Sequence, residues 1–520
     1  MLGSAAWSAF RRMKQIAVCL GVLVLAACAR PVEPLRYHLV TETRAPLDTD
    51  ATDIEILNRV SWGANAAGAQ MLRVDGLKRY LHRQLHPSDD DGLPPQVQAQ
   101  IAAMEISGKS LAELDDSLKD LRQAVQRAKG TPEVEAARKT YQERLNRLAR
   151  EAAARSLLRD LYSRNQLKEQ LVWFWMNHFN VSQNKGEIRA LVGDYEERAI
   201  RPHALGKFRD LLAATAFHPA MLQYLDNAQN AAGHINENYA REIMELHTMG
   251  VGSGYSQSDV QELARIFTGL SIDRGAKGRG VEHVGDFTVF RAKRHDTGDK
   301  HLLGTTIHGT GLDEINQALT LLARQPATAH FISTKLAEYF CGDHPPESVI
   351  AAMAKTFQAS DGNIADVLET LFAAPEFTAS LGQSFKDPMH YAISALRLSY
   401  GDTVILNLQP LNGWLDRSGE PLYRHETPDG YPLSETEWSG PGQMETRFEI
   451  ARAIASGHNG LFRTPDEPKE PAAPPDIAKS RFYTAIQTRL RPATVQALNE
   501  AKSPVEWNTL FLSSPDFMRR

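Results

Sequence analysis

Leu111, Leu114, Leu118, Leu121 and Val125 lie three, four, three and four residues apart, the spacing that places all of them on one seam of an α-helix. A seam of that kind has to be covered by another helix. Lys129-Gly130-Thr131-Pro132 breaks the chain just beyond it, with Thr131 placed as an N-cap and Pro132 at the first helical position. Val134, Ala137, Tyr141, Leu145 and Leu148 then resume the helical spacing. Residues 109–164 are therefore predicted to form a helical hairpin, either a platform for a partner or a support for the main core.

The same period recurs along the chain. Ile54, Ile56, Leu57 and Val60, then Met71, Leu72, Leu77 and Leu81, predict two short helices over 53–81. Residues 165–270 and 312–377 also read as helical. Residues 287–307 alternate as a β-hairpin does, with Asp296, Gly298 and Asp299 near the turn. Pro465, Pro468, Pro471, Pro474 and Pro475 mark a stiff connection over 465–475. The run Leu-Phe-Ala-Ala-Pro-Glu-Phe at 371–377 is echoed without a gap at 511–517, which we read as a shared helix-ending motif. The predicted fold class is mainly α: a large multi-helix body with a projecting helical hairpin and a small β-hairpin.

At the N-terminus, Arg11, Arg12 and Lys14 precede a 12-residue apolar run from Ile16 to Ala27. At 1.5 Å per residue this run is too short to span a hydrocarbon core of ~30 Å, and it matches a secretory signal instead. It ends in Leu25-Ala26-Ala27-Cys28, which resembles the lipobox of bacterial lipoproteins. The expectation is a signal peptide over 1–27, lipidation of Cys28, a tether over 28–52 and a single domain over 53–520. The protein would then sit in the bacterial cell envelope, held to the lipid bilayer by its acylated N-terminus with its body in the periplasm. Loss of the signal removes three cations and no anions, so the formal balance of -5 becomes -8. That balance offers no basic field for a phosphate backbone and argues against nucleic acid as a partner. Of the three cysteines, Cys19 leaves with the signal and Cys28 carries lipid, so Cys341 stands as a lone thiol.

Unusual residues concentrate in two places. Trp173-Phe174-Trp175-Met176-Asn177-His178-Phe179 is the most aromatic stretch, and a buried His178 there serves either as a ligand or base or as a hydrogen-bonded core residue. The second concentration runs from Asp226 and Asn227 through 236–250. On a regular helix at about 100° per residue, with Asn238 at zero, Arg241, Glu245 and Glu242 fall at about 300°, 340° and 40°, one polar quadrant. His247 falls at about 180°, so one helix cannot aim Glu242, Glu245 and His247 at one metal ion. Glu242 and Glu245 remain candidates for catalysis or metal binding if His178 arrives from another helix. Asn177, Asn238, Arg241, Asp226 and Asn227 are candidates for ligand binding. The competing reading is a solvated face with an Arg241–Glu245 ion pair. Ser256 with Asp259, or Ser258 with Gln261, starts the next helix as a capping box, and Arg294-His295-Asp296 makes a poor dyad because neighbouring strand residues face opposite ways. No Gly-x-Ser-x-Gly elbow, phosphate loop, His-Glu-x-x-His or Cys-x-x-Cys is present, and the residues name no cofactor.

Taken together, Trp175 to Phe179, Asn236 to Gly250, Gly254-Tyr255 with Asp259 to Gly269, Arg294 to Gly304, Ala327 to Phe340, Pro375-Glu376-Phe377 and Pro428 to Pro432 resemble the bacterial family called domain of unknown function 1800. The likeness covers roughly residues 53–520. It implies an exported, mainly helical protein, and it brings no established catalytic residue to this chain. It also implies a partner: members are often encoded beside a second exported family, domain of unknown function 1501, which looks like a phosphatase or sulfatase relative. The functional expectation is an envelope lipoprotein that binds a ligand or partner and supports an exported hydrolase. The alternative is an envelope enzyme, a metal-assisted hydrolase or an oxidoreductase, using the carboxylate and histidine cluster.

Overall fold

The structure, a computed structural model, describes residues 51–273, 275, 280–464 and 473–520. The signal-like run, Cys28, the tether up to residue 50 and Pro465, Pro468 and Pro471 lie outside the described residues. The fold is mainly α, with 25 α-helices and two small antiparallel sheets among the described residues. None of these helices is long and apolar enough to cross a membrane.

Helix Ala51–Val60 begins inside the segment expected as tether, because Ile54, Ile56, Leu57 and Val60 have core to bury against. The segment after it forms two helices, Ala66–Asp75 and Leu77–Leu85, separated by Gly76 at φ 72°. The hairpin consists of Leu111–Arg127, opened by a Ser110/Glu113 capping box, and Val134–Tyr162. Its second helix starts after Pro132 rather than at it, since the Thr131 hydroxyl turns back to the Ala128 carbonyl at 3.0 Å. Leu114, Leu118, Leu145 and Leu148 join Ala190 in a small core separate from the main one.

Strands β1 (Leu270–Ile272), β2 (Val281–Gly285) and β3 (Thr288–Arg291) form a sheet in the order β1-β3-β2, with Leu270 opposite Phe290 and His283 opposite Val289. β4 (Lys300–Leu302) and β5 (Thr305–Ile307) form the hairpin. Its turn is Leu303-Gly304, both at positive φ, as a two-residue turn requires. Asp296, Gly298 and Asp299, expected near that turn, lie in the loop before β4, where Asp296 accepts the Arg265 Nε at 2.9 Å. His295 points the other way, into the interior, 2.9 Å from Glu314. The two echoing heptapeptides do the same job: each spans a helix end and buries its last phenylalanine, Phe377 on Phe372 and Phe517 on Phe511.

Buried charges knit these helices together. The Arg59 guanidinium is fully buried and donates to the main-chain oxygens of Phe340, Ser380 and Arg520. Arg520 in turn donates to His390 Nε2 at 2.6 Å, to Gln170 Oε1 at 3.2 Å and to the Tyr339 carbonyl at 2.8 Å. His390 Nδ1 donates to Asp387 at 2.6 Å. Burial first, and the Arg520 charge second, push the His390 imidazole down to about 4, so it is neutral and free to accept from Arg520.

Because the hairpin core is separate, Leu118→Ala is expected to cost about 2–5 kcal/mol there. The loss should read as reduced amide protection across 111–148, with Pro388–Tyr400 unchanged. Equal loss in both regions would show that the hairpin is not its own packing unit.

Candidate functional site

The segment expected as one regular helix changes type partway. Asn238–Glu242 is α-helical, and Ile243–Thr248 is a π turn. Met249 N bonds the Met244 carbonyl at 2.9 Å, and the Thr248 hydroxyl takes the Ile243 carbonyl at 2.7 Å, each five residues back. The regular-helix projection therefore ends at Glu242. His247 is buried, and its carbonyl accepts the His178 Nε2 at 3.1 Å, with the two rings 6.0 Å apart. A carbonyl can only accept, so Nε2 carries the proton. Burial pushes His178 down to about 3, which makes it a neutral core imidazole. Among the described residues, no three His, Cys, Asp or Glu side chains are grouped so as to hold a metal ion. The structure thus pairs His178 with His247 and does not bring it to Glu242 and Glu245 as a metal-ligand set.

The asparagines are occupied by main chain. Asn177 donates to the Tyr431 carbonyl at 2.9 Å and accepts the Tyr431 N–H at 2.6 Å, so one side chain takes both main-chain polar groups of Tyr431. Asn180 donates to Thr427 O at 2.7 Å, and the Tyr224 hydroxyl donates to Glu426 O at 2.7 Å. Gly430 sits at φ 75°, and a Cβ there would collide with Asn177. These contacts clasp the 425–431 loop to the end of helix Gln166–His178. Asn227 is fully buried and donates to Phe267 O at 3.3 Å and Leu270 O at 3.1 Å. Asn238 donates to Leu225 O at 3.3 Å. Asp226, held at φ 62°, pairs with Lys185 at 2.7 Å.

Arg241 lies 3.3 Å from Glu245 and 3.2 Å from Glu237, the ion-paired face that its spacing allows. Glu242 differs from its neighbours. It makes no ion pair or hydrogen bond among the described residues, and burial first, then Glu245 and Asp429, raise its pKa against the pull of Arg241. The clasped loop is what brings the Asp429 charge to bear on it.

A separate, open cleft of about 890 Å³ lies where helix Pro326–Cys341 ends. The 342–346 segment forms one side, Glu376 to Phe385 another, and Glu435 with Arg519 a third. Asp343 accepts the Glu435 N–H at 3.0 Å, and Arg519 grips the Glu435 carboxylate with both terminal nitrogens. Ser380, in the lining, is held by Arg59 through its hydroxyl at 3.1 Å and its carbonyl at 2.7 Å. Burial pushes the neighbouring Cys341 thiol up, so it stays protonated, which suits a wall better than a nucleophile. None of the sequence candidates lines this cleft. The available signal was Cys341-Gly342-Asp343-His344-Pro345-Pro346, a run of turn and charged residues directly after a long apolar helix.

The segments that carry the sequence resemblance, Asn177-His178, 236–250 and 428–432, thus meet in the asparagine clasp and the turn beneath it. A family model described as "Protein of unknown function (DUF1800)" matches residues 55–519. The chain belongs to this family. No curated protein and no solved structure matches it. In this DUF1800 protein, then, the clasp, the lone Glu242 and the 890 Å³ cleft are the features that a functional reading has to explain.

Two outcomes test the clasp and the carboxylate. Gly430→Ala is expected to cost at least about 1 kcal/mol and to open the 425–431 loop to proteolysis. A variant as stable and as resistant as the parent would show that the close approach is not enforced. For Glu242 the raised folded pKa means that ionisation costs stability. That cost is absent below the unfolded value of about 4.3 and complete above the folded value. Glu242→Gln is therefore expected to raise the denaturation midpoint at about pH 7 and to leave it unchanged at about pH 3. Equal shifts at both pH values would exclude charge as the cause.

Proposed function

We propose that this protein is a lipid-anchored envelope protein that binds a ligand in the cleft beside Cys341, working alongside an exported hydrolase of the domain of unknown function 1501 kind. The observation that carries the binding reading is the cleft itself. Its volume of about 890 Å³ lies within the roughly 300–1,000 Å³ of small-molecule sites. Its wall is also held from behind by a fully buried guanidinium, so the site stands ready-shaped and little binding energy goes into ordering it. The anchor reading rests on Leu25-Ala26-Ala27-Cys28 following a short apolar run.

One observation favours a second reading, that of an enzyme. Glu242 is a half-buried carboxylate without a cation partner and with a raised pKa, the condition of a general acid. His178 is sealed against His247, so in that reading Glu242 acts with Glu245 and Asp429 and without the imidazole.

Native mass spectrometry of the chain extracted in mild detergent is expected to show a non-covalent adduct that Ser384→Trp, which puts a bulky indole on the cleft wall, removes. An adduct that survives Ser384→Trp would place binding elsewhere, and its absence from the parent would count against the binding reading. Cys28→Ser is expected to move the protein from the membrane to the soluble envelope fraction. Membrane retention of that variant would refute the lipid anchor.

A further inference from the structure

Charge pairing within the cleft limits what can occupy it. Its lining holds three carboxylates, Asp343, Glu376 and Glu435, two guanidinium groups, Arg491 and Arg519, and the imidazole of His344. The cations are already engaged. Arg519 is spent on Glu435 in a two-pronged grip, and Arg491 lies 3.7 Å from Asp516, next to the cleft. Asp343 and Glu376 are left without a cation among the described residues. Asp343 accepts only the Glu435 N–H, at 3.2 and 3.0 Å from its two oxygens, and Glu376 accepts the Ser348 hydroxyl at 3.2 Å. The formal charge of the two carboxylates left over is negative. An anionic ligand would meet that charge and would have to draw Arg519 from Glu435 or Arg491 from Asp516 to find a guanidinium partner.

The uncharged part of the lining narrows the choice further. Sugar rings are held by stacking on an open aromatic face. Phe385, the phenyl ring of this cleft, is already approached by the guanidinium groups of Arg447 at 4.7 Å and Arg519 at 5.7 Å. The rest of the lining offers Cys341, Pro345, Pro346 and Ala379 for apolar contact, together with the His344 ring and hydroxyl and amide groups such as Ser384 and Gln383 for hydrogen bonds. Apolar contact, side-chain hydrogen bonds and fixed negative charge along an open trough are what an extended basic peptide requires.

We propose that the occupant of the cleft is an extended peptide segment carrying basic side chains, with one ammonium or guanidinium group meeting Asp343 and another meeting Glu376. The inference rests on the reading of this cleft as the ligand site. The probes are two fluorophore-labelled hexapeptides of identical length, one alternating Ala with Lys and one alternating Ala with Glu, titrated against the full chain in detergent and followed by anisotropy. The Lys peptide is expected to bind at least tenfold tighter than the Glu peptide. Its affinity should fall at least tenfold in Asp343→Asn/Glu376→Gln and should weaken steeply with added salt. Asp343→Asn keeps an acceptor for the Glu435 N–H, so the double variant retains its fold, and an unchanged thermal midpoint checks this. Failure of the Lys peptide to bind, or binding that the double variant leaves intact, overturns the proposal. Equal or tighter binding of the Glu peptide, lost in Ser384→Trp, overturns the basic-peptide assignment while the cleft remains a ligand site. If neither peptide binds and the native adduct is insensitive to Ser384→Trp, the cleft reading falls as well.

Discussion

Arg59 sets the terms for the rest of the molecule. A guanidinium taken out of water costs several kcal/mol unless its N–H groups find acceptors, and the two terminal nitrogens of Arg59 meet that demand with carbonyls far away in the chain, on Phe340, Ser380 and Arg520. Arg520 repeats the pattern on Tyr339, Gln170 and His390. Helices Ala51–Val60, Gln166–His178, Pro326–Cys341 and Pro388–Tyr400 are thus joined to the 380 turn and to residue 520 by directional bonds, where apolar packing alone would leave their relative rotation loose. The cleft inherits this geometry. Cys341 directly follows Phe340, Ser380 is gripped by the same guanidinium, and Arg519 adjoins Arg520.

Elsewhere too, polar residues that look like chemistry serve as architecture. Glu314 is fully buried and takes His295, Lys300 and the Gly311 N–H, anchoring the loop before β4. Arg201 is shared between Glu169 at 2.7 Å and Glu196 at 3.3 Å, and Tyr423 completes Glu196 at 2.6 Å. The asparagines follow one rule. A short side chain that both donates and accepts can stand in for a peptide unit, so Asn177 and Asn227 close loops onto helices and strands without a partner strand. Glu242 serves no such purpose: it is a half-buried carboxylate whose side chain has no ion pair or hydrogen bond among the described residues.

Features that depend on neighbours in sequence were legible beforehand. The leucine seam implied a hairpin over 109–164, which Leu111–Arg127 and Val134–Tyr162 form, and Ser256 with Asp259 is the one of two spaced capping boxes that the helix uses. The π turn at Ile243–Thr248 was not legible, because a hydrogen bond shifted from four residues back to five leaves no mark on residue spacing. A regular wheel set His247 opposite Asn238, and the turn instead seats it under His178. The placement of the β-hairpin turn failed for a related reason. Asp296 and Gly298 have turn chemistry, but Arg265 and Glu314 provide partners that hold the segment as a loop, and the reversal falls at Leu303-Gly304.

The sequence by itself determined the helical class, the hairpin, the capping box and the membership implied by its ordered blocks, since each is written in residues close together in the chain. Only the tertiary structure decided which polar residues are free to act. Whether a carboxylate or an imidazole is available depends on the partners that folding brings to it, and those partners lie tens to hundreds of residues away. Folding spends Asn177, Asn227 and His178 on main chain and leaves Glu242, Asp343 and Glu376 without a cation. It also assembles a charged cleft from segments near 341, 380, 435, 491 and 519 that no local pattern connects.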